Sequence, residues 1–153
     1  NIDFCNEIAS SELTGISLMK IEHIALNVAD PVAMAAWYVE QLGMSVVRKI
    51  DDTPHTHFLG DTGGNVLLEI YNNPPDKVPL YVNMDPLILH LAFVSVDPAE
   101  DAKRLIDAGA RWVEEVHLDD SSHLVMLRDP WGLALQLCKR GKPMLNTSSL
   151  LRK

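Results

Sequence analysis

The chain has 153 residues, 47% of them hydrophobic, enough to bury one substantial core. Thirteen basic against 21 acidic residues leave a formal net charge of -8, the wrong sign for a surface that grips nucleic acid or an anionic membrane. No apolar run approaches the roughly 18 residues needed to span a bilayer, no signal-peptide pattern opens the chain, and Cys5 and Cys138 do not make a disulfide framework, so a cytoplasmic setting is expected.

In chain order, residues 1–18 stand outside any pattern and read as an arm, a short helix or an appended segment, with Met19 resembling a natural start. Lys20 to Val28 is an apolar-rich strand candidate. Asp30 then offers an N-cap with Pro31 at the first helical position, for a helix to Leu42 stopped by Gly43. Segments near Ser45 to Ile50, His55 to Asp61 and Asn65 to Tyr71 read as strands. Pro74, Pro75, Pro79 and Pro86 mark residues 72–88 as an extended linker. The same order then returns: a strand from His90, Asp97 and Pro98 before a helix to Ala108, Gly109, and strands Val113 to His117, His123 to Arg128 and Leu133 to Lys139. Residues 141–153 form a tail.

The return is in register. His23 and Glu69 recur 67 positions later as His90 and Gln136, and Asp30-Pro31 as Asp97-Pro98. A period of that length is too long for a solenoid unit and fits half of a small domain. Two modules follow, 19–71 and 89–140, each a strand, a helix and three strands. Side chains two apart on a strand share a face. Ile24, Leu26 and Val28 therefore oppose His23, Ala25 and Asn27; Leu68 and Ile70 oppose Glu69; Leu135 and Leu137 oppose Gln136. A sheet with helices on its apolar face would carry all four polar residues on the other.

These paired modules, the two histidine strands and the Asp129-Pro130-Trp131-Gly132 turn four residues before Gln136 resemble the vicinal oxygen chelate superfamily, also called the glyoxalase/bleomycin-resistance/dioxygenase fold. The likeness covers about Lys20 to Lys139. It implies an α+β fold in which two βαβββ modules form a cupped mixed sheet, helices outside, around one divalent metal held by His23, Glu69, His90 and Gln136. Two imidazoles, a carboxylate and an amide oxygen suit zinc, nickel, cobalt, manganese or iron(II). The resemblance further implies that the metal grips vicinal oxygens of a small-molecule substrate and stabilises charge developing on them.

One position departs from the lactoylglutathione lyase pattern: Gln136 stands where that enzyme usually has a glutamate, and an amide cannot serve as a general base. That role passes to Glu69, the expected catalytic residue, or to metal-bound hydroxide. The order His, Glu, His, Gln resembles methylmalonyl-CoA epimerases with the modules exchanged. The expected activity is thus a metal-dependent lyase or isomerase of glyoxalase or epimerase type. The alternatives are a sequestering resistance protein and an iron(II) extradiol dioxygenase using His23, His90 and Glu69. Open sheet edges lead to an expected homodimer. His55 and His57 alternate on one strand face and are candidates to line the cup; His117, His123, Asp119 and Asp120 are expected on the solvated surface, and Trp131 is expected to pack.

Overall fold

The computed structural model describes residues 20–64 and 67–144. The N-terminal arm with Cys5 and Met19, residues 65 and 66, and residues 145–153 of the tail lie outside the described residues.

The first module runs β1 (Ile24–Asn27), α1 (Pro31–Leu42), β2 (Ser45–Lys49), β3 (His57–Gly60) and β4 (Leu67–Tyr71). The second runs β5 (His90–Val94), α2 (Pro98–Asp107), β6 (Arg111–His117), β7 (His123–Arg128) and β8 (Ala134–Lys139). Both helices begin by the same device. Asp30 Oδ1 accepts from the Ala33 amide at 3.0 Å and Asp97 Oδ1 from the Glu100 amide at 3.2 Å, with proline next in each case. Gly43, left-handed at φ 69°, ends α1.

Each module is a four-stranded mixed sheet, ordered β1-β4-β3-β2 and β5-β8-β7-β6, with the first strand parallel to the last. The fold is α+β with two βαβββ modules. The sheets are separate: among the described residues β1 pairs only with β4, and β5 only with β8. β1 and β5 thus each end a sheet. Ile24 is 44% exposed and Val94 95%, and Ile21, Leu87, Ile88 and Val96 flank these edges in the open.

The core lies where the helix-bearing faces meet. Met34, Ala35 and Tyr38 of α1 are buried in one cluster with Leu26, Leu59, Leu68 and Ile70 of their own sheet and with Leu133 and Leu135 of the second module. Trp37 donates from its indole N–H to the Ala108 carbonyl at 2.8 Å, and the Arg104 guanidinium reaches the Gln41 carbonyl at 2.8 Å. Apolar burial of this kind is the main stabilising term. The stretch between the modules is pinned rather than extended throughout: it holds 3-10 turns at Pro75–Lys77 and Tyr81–Asn83, buries Tyr81, and gives the Tyr81 and Met84 carbonyls to Arg128.

Register settles the faces. His57 stands opposite Ile70, with Phe58 opposite Glu69, so His57 is on the helix-bearing side, 7% exposed. It does not share a face with Glu69, which corrects the expectation that it lines the metal side. His55 sits in the preceding turn with φ 57°.

Candidate metal centre

The four candidate ligands fall in two pairs at equivalent positions, one in each module, on the sheet faces turned away from the shared core. In the first module His23 immediately precedes β1, and Glu69 is the β4 residue opposite Ala25. His23 Nε2 lies 3.1 Å from Glu69 Oε2. Two ligands each about 2.0–2.2 Å from one metal sit about 3 Å apart when adjacent in its coordination sphere, so this pair fits a shared ion. The other ring nitrogen, Nδ1, pairs with the Glu22 carboxylate, and the Phe58 ring meets the imidazole edge-on at 5.9 Å. Hydrogen bonding to Glu22, reinforced by the charges of Glu22 and Glu69, raises the His23 pKa above its ordinary value.

In the second module His90 Nδ1 donates to the Pro86 carbonyl at 2.8 Å, which leaves the lone pair on Nε2. Gln136 stands opposite Ala92 across β5 and β8, on the His90 face, and its Oε1 accepts from the Cys138 thiol at 3.1 Å. Burial pushes the Cys138 pKa up, keeping the thiol a donor. Among the described residues His90 forms no group of His, Cys, Asp or Glu ligand atoms with His23 and Glu69. His90 instead borders a cleft of about 680 Å³ between the modules, lined also by Ile24, Leu68, Leu91, Phe93 and Arg104.

The Asp129 turn is a structural clamp. Asp129 is fully buried. Its Oδ1 accepts from the Trp131 and Leu133 amides, both at 2.9 Å, and its Oδ2 from the Tyr38 hydroxyl of α1 at 2.9 Å. Burial raises its pKa from 3.8 to about 6, against the lowering effect of these bonds. Gly132 is required there: φ is 92°, and a Cβ would come within 2.8 Å of the Val82 amide nitrogen. Trp131 packs edge-on against Trp37 at 6.4 Å, as expected.

A family model described as the glyoxalase/bleomycin resistance protein/dioxygenase superfamily matches residues 20–137. The chain belongs to this superfamily. Solved structures agree. A glyoxalase family protein from Enterococcus faecalis is 28% identical, with a TM-score of 0.58 over 78% of this chain and 97% of that one. A glyoxalase family protein from Bacillus cereus is 18% identical, with a TM-score of 0.68 over 84% and 98%. TnmS3, an antibiotic binding protein from a Streptomyces species, is 17% identical, with a TM-score of 0.63 over 82% and 98%. A search of curated proteins finds no match.

Within this superfamily fold, one further cluster has ligand-forming chemistry. Glu115, His117 and His123 bring their ligand atoms within 4.8 Å of one another and could together hold a metal. Sequence reasoning placed both histidines on the surface and missed the group. The signal was there in part, since Glu115 and His117 are two apart on a strand, but their meeting with His123 depends on the hairpin register. No described helix is long and apolar enough to cross a membrane.

Proposed function

We propose that the chain is a metal-dependent lyase or isomerase of glyoxalase or epimerase type, acting on a small molecule with adjacent oxygen functions. Each site takes His23 and Glu69 from one chain and His90 and Gln136 from a second copy. What carries this reading is one contrast: His23 and Glu69 stand 3.1 Å apart, whereas His90 is not grouped with them in the same chain. β1, which His23 precedes, and β5, which carries His90, each end a sheet and have exposed apolar residues on or beside them. Pairing β1 of one copy with β5 of the other removes both edges and brings the half-sites to one seam.

His23, Glu69, His90 and Gln136 would hold the divalent metal, which would supply Lewis-acid stabilisation of negative charge on vicinal oxygens. Glu69, the one carboxylate of the set, would take the proton from the carbon beside the carbonyl and return it to the other face of that carbon or to its neighbour; Gln136 cannot accept it. Glu22 and the Pro86 carbonyl fix the two imidazoles through Nδ1. A second reading, sequestration of a ligand without chemistry, draws support from the fold likeness to an antibiotic binding protein. An iron(II) dioxygenase is disfavoured by the amide at Gln136.

Mixing separates a shared site from one built within a chain. His23→Ala and His90→Ala should each lose the ion from this site. In a dimer of one with the other, one of the two shared sites is whole, so a refolded equimolar mixture should regain about a quarter of the wild-type ion at this site. No recovery, or a mass equal to a single 17.0 kDa chain by light scattering, counts against the shared site.

A further inference from the structure

We propose that Glu115, His117 and His123 form a second metal site, independent of the paired modules, which takes one divalent ion of the zinc, cobalt, nickel or copper class and clasps the end of the β6–β7 hairpin. His117 and His123 are directly opposite across the ladder, and Glu115 is two residues before His117. His123 Nε2 lies 2.7 Å and His117 Nε2 3.4 Å from the same oxygen, Glu115 Oε1. The two rings lie nearly parallel, 4.2 Å apart with 15° between planes. Both imidazoles therefore present Nε2 toward one point.

The face is set by a bulge. Register shifts between Trp112 and Glu114, so that Glu115 stands opposite Val125. An extra residue in one strand flips every later side chain to the other face. Without it Glu115 and His117 would lie on the His90 and Gln136 side; with it they join His123 on the helix-bearing side, and the sheet separates the two sites. The first module has the same shift, between Val46 and Arg48. There the matching positions are Lys49 and Asp51, an ion pair at 2.7 Å, so the ligand group belongs to the second module alone.

The chemistry selects the ion. Two imidazoles and one carboxylate suit borderline transition metals, whereas calcium and magnesium want oxygen throughout. The site is reachable, since the His117 side chain is 70% exposed, and it is anchored, since His123 is 16% exposed. Three protein ligands leave positions for water.

The test is equilibrium dialysis of the untagged full chain against zinc. Four proteins are compared: wild type, His117→Ala/His123→Ala, His23→Ala/His90→Ala, and all four substitutions together. Loss of one zinc per chain with the hairpin histidines, in both backgrounds, is the expected result. Equal zinc content with and without them overturns the proposal. The His23→Ala/His90→Ala background reports on the hairpin whether or not the paired-module site exists, so the two readings fail separately. If the histidine variant does not fold, Glu115→Gln replaces it. Zinc affinity of the hairpin should then fall about tenfold or more, and unchanged affinity overturns the site.

Discussion

The two modules build the same turn between their third and fourth strands and use it differently. In the first, the Gly64 amide donates to the Asp61 carbonyl at 3.1 Å; in the second, the Gly132 amide donates to the Asp129 carbonyl at 3.0 Å. Both glycines have positive φ, 68° and 92°. Yet Asp61 is half-buried on the intermodule cleft, while Asp129 is fully buried and takes the Tyr38 hydroxyl from the other module's helix. Where α1 has Tyr38, α2 has the apolar Leu105. A repeated backbone does not make a repeated role. Full burial and the Tyr38 hydroxyl make Asp129 a bolt between the modules.

Chemistry divides the modules in the same way, with Glu69 in one and Gln136 in the other. The largest expected effect follows from that division. On protein shown to be fully metal-loaded, Glu69→Gln should slow C–H exchange of an α-hydroxyketone in deuterated solvent by about a hundredfold or more, while Gln136→Glu should keep the metal. Exchange at the wild-type rate in loaded Glu69→Gln would assign the base elsewhere.

Stability should divide the modules next. Asp129→Ala strands two backbone amides and a tyrosine hydroxyl in the core and should cost about 3 kcal/mol or more, measured by urea unfolding. Asp61→Ala should cost about 1 kcal/mol. Equal losses would mean that the clamp is not one.

The same aspartate sets a pH dependence. Because the folded carboxyl of Asp129 has a pKa raised from 3.8 to about 6, the folded chain holds this proton more tightly than the unfolded one. Its contribution to stability is full below about pH 4 and is lost as pH rises through about 6, a change of about 3 kcal/mol at most. Asp129→Asn keeps an oxygen for the Trp131 and Leu133 amides and removes the titration. Relative to wild type it should gain stability across that window; parallel curves for the two proteins would show that Asp129 does not titrate there.

Much of this was legible in the residues. The Asp-Pro caps, the glycine stops and the two-residue alternation of strands depend on neighbours within a few positions, so the repeat, both βαβββ modules and the faces of His23, Glu69, His90 and Gln136 follow from the sequence. Three matters did not. Alternation leaves His57 a candidate for the cup or for solvent, but its register with Ile70 turns it to the core. Glu115 and His117 meet His123 only because a bulge near Val113 shifts the ladder, and a one-residue shift leaves no trace in an alternating pattern. His90 forms no ligand group with His23 and Glu69 among the described residues, where Tyr38, Met34, Leu133 and Leu135 bury the helix-bearing faces against each other. Which apolar faces meet is set by the total surface they remove from water, a sum over distant residues. Sequence by itself determines the strands, caps and faces, and only the tertiary structure decides which faces come together.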